Sequence, residues 1–85
     1  MLKIYIGTTD NELEVMVQET ETVRAVYERE GKASLLSRDK ISVKLMSPSA
    51  VKTLSTTDLN RTFADLGVAD GDYIVVSENL KGAAN

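Results

Sequence analysis

The sequence predicts an α+β fold in which one helix packs on one face of a mixed four- to five-stranded sheet. Three observations support this prediction. Apolar residues alternate with a period of two at the start and in the middle of the chain, the period becomes helical between residues 22 and 31, and residues 73–76 are all apolar. With 42% apolar residues in 85, the chain can form one hydrophobic core and one domain.

Two alternating segments at the start of the chain predict a β-hairpin. Leu2, Ile4 and Ile6 alternate with polar or amphipathic residues, and the alternation resumes over residues 13–17. Between them, residues 7–11 are rich in Gly, Asp and Asn, which favour a turn.

The next segment predicts a short helix. Thr20 or Thr22 is a suitable N-cap, because its hydroxyl can accept a hydrogen bond from the first turn. Gly31 suits the left-handed residue that ends a helix. The apolar stripe at helical spacing consists of Val23, Val26 and Tyr27. We expect residues 35–36 to form a loop that returns two leucines to the core.

The second half of the chain predicts three more strands and one helical turn. Residues 41–46 alternate as a third strand, Pro48 interrupts it, and residues 51–54 form a weak fourth strand. Thr62 can cap a single turn that ends at Gly67.

The apolar run at residues 73–76 is typical of a central strand. We expect this last strand to lie beside the first in the middle of the sheet. Residues 1–77 are predicted to form the domain, and residues 78–85 a flexible tail.

Composition argues against catalysis. The chain has neither Cys nor His, which excludes disulfides, a thiolate nucleophile and the commonest general base. Asp70 and Asp72 flank Gly71 as in a turn rather than as in a cation-binding loop. We therefore expect no enzyme activity, no cofactor and no metal. Because no apolar run approaches the roughly 20 residues that cross a bilayer, we expect a cytoplasmic protein without membrane insertion.

A family resemblance rests on two sets of residues. The segment Thr-Phe-Ala-Asp-Leu-Gly-Val-Ala-Asp-Gly-Asp at positions 62–72 resembles the T-L-x-D-x-G-I-x-D-G-D stretch before the last strand of ubiquitin-like proteins. The helix ends, Thr22-Val23 and Glu30-Gly31, are similar to those of the ubiquitin helix. The resemblance covers residues 1–77 and implies the β-grasp fold. Residues 43–46 and 69–72 also resemble the small bacterial ubiquitin-like proteins that accompany type VII secretion systems.

The resemblance has two implications for function. Family members that act as carriers or modifiers end in a diglycine, whereas this chain ends Gly82-Ala83-Ala84-Asn85, so we expect no such chemistry. Ubiquitin is bound through an apolar patch on its third and fifth strands. The corresponding outward residues here are predicted to be Tyr73 and Val75 with Ser42, Lys44 and Met46, and Ile74 and Val76 are predicted to point inward.

Charge is unevenly distributed, since residues 32–61 carry six bases and two acids although the net charge is −3. One interpretation is a cationic surface that binds a protein partner with an acidic surface. Another is that edge-strand lysines prevent aggregation. The candidate partner-binding residues are Lys40, Lys44, Met46, Lys52, Arg61, Tyr73 and Val75.

Two further kinds of partner are nucleic acid and a second copy of the chain. Only four aromatic residues are present (three Tyr and one Phe), which argues against nucleic acid, because single-strand binding requires stacking platforms. An exposed edge at the second or fourth strand offers a route to a homodimer. The sequence thus favours a non-catalytic protein-interaction module, with a carrier or modifier protein, or a nucleic-acid adaptor, as alternatives.

Overall fold

The computed structural model of the chain describes residues 1–38 and 41–78. Five strands form a single mixed sheet in the order β2-β1-β5-β3-β4. The elements, in chain order, are β1 (Leu2–Thr8), β2 (Asn11–Val17), α1 (Val23–Arg29), α2 (Ala33–Leu36), β3 (Ile41–Ser47), β4 (Ala50–Leu54), a 3₁₀ turn (Asp58–Asn60), α3 (Phe63–Leu66) and β5 (Tyr73–Glu78).

The first and last strands lie side by side at the centre, as predicted. β1 runs parallel to β5, with Ile6 beside Ile74, and antiparallel to β2. β3 runs antiparallel to both β5 and β4. This arrangement leaves β2 and β4 as the two edges, and it explains why residues 73–76 are apolar throughout: β5 has a strand on each side.

The core lies between the sheet and α1. Ile4, Ile74 and Val76 project from the central strands, and the stripe of Val23, Val26 and Tyr27 meets them. Thr22 caps α1, because its hydroxyl accepts a hydrogen bond from the Ala25 backbone N–H at 3.1 Å. The predicted helix, its cap and its buried face are therefore confirmed.

Tyr27 anchors α1 to the two central strands. Its side chain is completely buried. The hydroxyl accepts a hydrogen bond from the backbone N–H of Gly7 at 3.0 Å and donates one to the carbonyl of Ile74 at 2.5 Å. Burial raises the pKa of Tyr27 to about 12, although the hydrogen bond with Gly7 opposes this effect.

The structure differs from the sequence prediction at residues 35–36 and contains, after β4, a turn that was not predicted. The prediction that residues 35–36 form a loop is wrong: they belong to α2, whose Ala33 and leucines are strong helix formers. Leu36 nevertheless packs in the core as expected. The polar stretch after β4 contains a 3₁₀ turn, because Ser55 and Asp58 exchange side-chain-to-backbone hydrogen bonds at 3.0 and 3.2 Å. The sheet therefore carries several short helical segments besides α1.

Candidate protein-interaction surface

The face of the sheet opposite α1, called here the outer face, carries a continuous row of side chains. One residue from each strand lies next to its neighbour across the whole sheet, in the order Glu14, Tyr5, Tyr73, Met46 and Val51. Two of these are exposed large apolar side chains, Met46 at 37% and Val51 at 60%. The row is acidic at the β2 edge and apolar from the centre to the β4 edge.

Two tyrosines form the centre of this row. The rings of Tyr5 and Tyr73 contact each other with centroids 4.5 Å apart and planes tilted by 52°. Such tilted aromatic pairs are stabilised beyond the area that they bury. Both side chains are half-buried, so that part of each remains available to a partner.

The turn before β5 fixes the position of Tyr73. The Asp70 carboxylate accepts a hydrogen bond from the Lys3 backbone N–H at 2.7 Å, and the Gly71 N–H donates to the Lys3 carbonyl at 2.6 Å. Asp72 is buried, at 4% exposure, and its carboxylate accepts a hydrogen bond from Ala69 N–H at 2.9 Å. The Asp-Gly-Asp segment thus attaches β5 to β1, which places Tyr73 beside Tyr5.

A shallow depression lies beside Tyr73 and Met46, the two middle residues of the apolar part of the row. Its volume is about 270 Å³, and its walls are Met46, Ser47, Pro48, Gly71 and Tyr73. The hairpin turn between β3 and β4 forms one side, and the turn before β5 forms the other. The depression is mainly apolar and can accept a small apolar side chain.

The structure confirms the predicted orientation of Lys44 but not the accessibility of Val75. Lys44 is exposed on the outer face, where its strand partners are Val75 and Thr53. Val75 faces the same side but is only 3% exposed, so the expectation of an accessible apolar anchor there is wrong. Val75 is a short side chain on a central strand, between Lys44 of β3 and Gly7 of β1, and so has little free surface.

Lys52 and Arg61, two of the predicted basic residues, do not border this surface. Lys52 is paired with the inward-facing Leu45 and therefore lies on the α1 side of β4. Arg61 follows the 3₁₀ turn and forms an ion pair with Asp58 at 3.3 Å. Lys40 lies outside the described residues.

Lys52 and Arg61 instead act on Asp58. The pKa of Asp58 is lowered, mainly by the hydrogen bond from the Ser55 backbone and in part by the positive charges of Arg61 and Lys52. The structure thus divides the predicted set in two: Lys44, Met46, Tyr73 and Val75 lie on the outer face, whereas Lys52 and Arg61 lie near the 3₁₀ turn.

Sequence reasoning missed Tyr5 and Val51 as members of the surface. Tyr5 joins it because β1 and β5 are adjacent and parallel, a relationship between residues far apart in sequence. Val51 joins it because the two-residue turn at 48–49 pairs Val51 with Met46. The signal for Val51 was present, since the turn length fixes the register of the hairpin.

The described residues contain no candidate metal site. Among them, no three acidic side chains converge to hold a metal ion. No helix in residues 1–38 and 41–78 has the length and apolar composition that a membrane crossing requires.

Solved structures similar to this chain share one architecture. A ubiquitin-like domain from tubulin-binding cofactor B superposes over 95% of this chain and 92% of its own length, with a TM-score of 0.65 and 22% identity. The C-terminal ubiquitin-like domain of mouse tubulin-specific chaperone e covers 88% of this chain and 82% of its own length, with a TM-score of 0.61 and 19% identity. The chain has the ubiquitin-like β-grasp fold.

Ubiquitin from Caldiarchaeum subterraneum shares this fold too. It is 28% identical to this ubiquitin-like domain over 88% of this chain and 89% of its own, with a TM-score of 0.55. These neighbours support the ubiquitin-like superfamily and confirm the fold predicted from residues 62–72 and the helix ends. No protein-family model matches the chain, and no curated protein matches it.

Proposed function

We propose that this ubiquitin-like domain is a non-catalytic protein-interaction module that binds its partner through the outer face. The observation that carries the proposal is the apolar row from Tyr5 through Tyr73 and Met46 to Val51. A partly exposed row of aromatic and Met side chains on a sheet face is typical of protein interfaces. The shared fold with ubiquitin-like domains of tubulin-binding cofactor B and of tubulin-specific chaperone e is consistent with this role.

The geometry suggests which partner chemistry fits this face. The depression between Met46 and Tyr73 suits one apolar side chain, and the exposed ammonium group of Lys44 suits a carboxylate nearby. We infer a partner that presents an apolar anchor beside an acidic residue. This is narrower than the cationic surface predicted from composition, because Lys52 and Arg61 do not border the depression.

The test replaces Lys44 and Met46 together, as K44E/M46S. Both side chains are exposed, so we expect the fold to persist and partner capture to be lost. The partner should be identified by photo-crosslinking from position 73 and the binding then repeated with purified protein. The matched control is K32E, which makes the same charge change at a residue outside the sheet. Undiminished binding by K44E/M46S would show that the outer face is not the interface.

Other predictions from the sequence remain untested. Attachment through the C-terminus, as in a carrier or modifier, predicts a covalent adduct by intact-mass measurement after incubation with ATP and a cell extract. Nucleic-acid binding predicts an affinity that falls steeply with salt. The resemblance to the ubiquitin-like proteins of type VII secretion, and a cytoplasmic location, also stay predictions. Genes for type VII secretion components beside the gene for this chain would support the resemblance to those secretion-associated proteins.

A further inference from the structure

The two edges of the sheet differ in how their backbone groups are used. In each hairpin, the two residues that flank the two-residue turn form a hydrogen-bonded pair. Hydrogen-bonded and non-hydrogen-bonded pairs then alternate along the hairpin, so every second residue of the edge strand points its backbone N–H and C=O groups away from the sheet. On β2 these outward residues are Glu12, Glu14 and Met16. On β4 they are Val51 and Thr53.

Side chains cover the C-terminal part of the β2 edge. Arg29 donates a hydrogen bond to the Met16 carbonyl at 3.1 Å, and Glu21 accepts one from the Gln18 backbone N–H at 2.8 Å. Arg29 and Glu21 also form an ion pair with each other. The rest of this edge carries the acidic side chains of Glu12 and Glu14, which discourage strand addition.

The β4 edge is covered only at its end. There, the Ser55 backbone N–H points outward and donates to the Asp58 carboxylate at 3.0 Å, which confirms the direction of the alternation. For the backbone of Val51 and Thr53, the part of the chain that the structure describes shows no such side-chain cover. The two residues therefore form an open strand edge, here called the β4 edge.

We propose that the β4 edge binds an extended segment of a partner protein in which apolar and acidic side chains alternate. The added segment would pair with the N–H and C=O groups of Val51 and Thr53 and become a sixth strand. Its apolar side chains continue the outer-face row beyond Val51, and its acidic side chain on the α1 side faces Lys52. This inference rests on the proposed function only in requiring that the partner be a protein.

Charges favour such a segment over a second copy of this chain. If two β4 strands paired antiparallel with full overlap, Lys52 of each copy would lie directly opposite Lys52 of the other, and like charges there destabilise pairing. On the α1 side of β4, Lys52 and Arg61 outnumber Asp58, which is already engaged by Ser55 and Arg61. The local charge therefore attracts a carboxylate.

The test uses a short synthetic peptide, acetylated and amidated, in which Val and Glu alternate. Titration into isotopically labelled protein, followed by NMR, should shift the amide signals of residues 51–53 and slow hydrogen exchange at Val51 and Thr53. T53P should reduce affinity by about tenfold or more, because it removes one outward N–H without touching the pairing with β3. The matched control T53V retains this N–H and should bind like the unmodified protein.

A charge exchange keeps the proposal testable even if T53P alters the fold. K52E should weaken the Val-Glu peptide roughly tenfold and should gain binding to a peptide with Lys in place of Glu. K44E/M46S should still bind the Val-Glu peptide. Partner capture by K44E/M46S therefore tests the outer-face proposal, and peptide binding by T53P and K52E tests the β4-edge proposal separately.

Four results would overturn the proposal. The first three are no binding of the Val-Glu peptide, equal peptide binding by T53P and T53V, and amide shifts centred on residues 11–17. The fourth is slowed hydrogen exchange at Val51 in concentrated protein without any peptide. The last result would indicate a homodimer.

Discussion

Tyr27 and Ile74 are joined by a hydrogen bond of 2.5 Å from the tyrosine hydroxyl to the backbone carbonyl. The same hydroxyl accepts from Gly7 N–H, so one oxygen atom of α1 contacts both central strands where β1 and β5 run in parallel. The helix is therefore fixed to the sheet by a buried polar contact as well as by its apolar stripe.

Removal of this hydroxyl should destabilise the domain. We expect Y27F to lower the free energy of unfolding by about 2–3 kcal/mol, because it leaves the Gly7 N–H and the Ile74 carbonyl without this buried partner. Urea denaturation measures the effect. Y5F is the control: Tyr5 is only half-buried, and we expect a change below about 0.5 kcal/mol. A similar loss in both variants would contradict the role assigned to the Tyr27 hydroxyl.

Alkaline pH should destabilise the fold through ionisation of the Tyr27 hydroxyl. The pKa of Tyr27 is raised from 10.0 to about 12, so between these values the unfolded chain loses its proton while the folded chain keeps it. Stability from this source is complete below pH 10.0 and falls as pH rises, by at most about 1.4 kcal/mol per pH unit. Denaturation at a series of pH values should show a shallower decline in Y27F. An identical decline in both proteins would refute this assignment.

Gly7 should tolerate no larger side chain. Its φ of +122° is strained for other residues, and an added Cβ would collide with the Asn11 carbonyl oxygen. We expect G7A to cost about 2 kcal/mol or more in unfolding free energy. G71A is a matched comparison, because Gly71 also has a positive φ, +90°, but open space around its Cβ position. Thermal denaturation should rank G7A below G71A, and the reverse order would be inconsistent with the collision.

The Tyr5–Tyr73 contact should be measurable as a coupling energy. A double-mutant cycle with Y5L and Y73L should give about 1 kcal/mol of interaction between the two rings. A parallel cycle with Y5L and the unconnected F63L provides a baseline, since Phe63 is buried in the core on the opposite face. A coupling near zero for the tyrosine pair would mean that the rings do not stabilise each other.

The cap of α3 should contribute to stability. The Thr62 hydroxyl accepts a hydrogen bond from Asp65 N–H at 3.1 Å, so we expect T62A to cost about 1 kcal/mol. Thr57 precedes the 3₁₀ turn but makes no capping hydrogen bond with its side chain. T57A should therefore change stability by less than about 0.5 kcal/mol in the same denaturation assay. Equal losses of stability in T62A and T57A would show that the Thr62 capping hydrogen bond does not stabilise the domain.

Local patterns were sufficient to predict most of the fold. Period-two alternation located β1 and β3, and Thr22 with Gly31 located α1, because these features depend on neighbouring residues. The α2 segment was missed because four residues are too few for a periodic signal. Ser55 and Asp58 were not recognised as a turn, although Asp and Ser favour such reciprocal bonds.

The candidate surface was less predictable than the fold. Lys44 and Met46 were assigned correctly to the outer face, since alternation along β3 determines their direction. The burial of Val75 depends on its place between two neighbouring strands, and the face on which Lys52 lies depends on the register of the β3–β4 hairpin. Both properties depend on tertiary structure. Counting charges along the sequence therefore placed Lys44 and Lys52 in one group, although they lie on opposite faces of the sheet.

The ion pair of Arg29 and Glu21 has a further consequence for assembly. Together with its hydrogen bonds to Met16 and Gln18 it protects the C-terminal part of one border of the sheet, and the acidic Glu12 and Glu14 discourage strand addition along the rest. Edge-to-edge addition of strands at both borders, which a growing fibril requires, is therefore disfavoured.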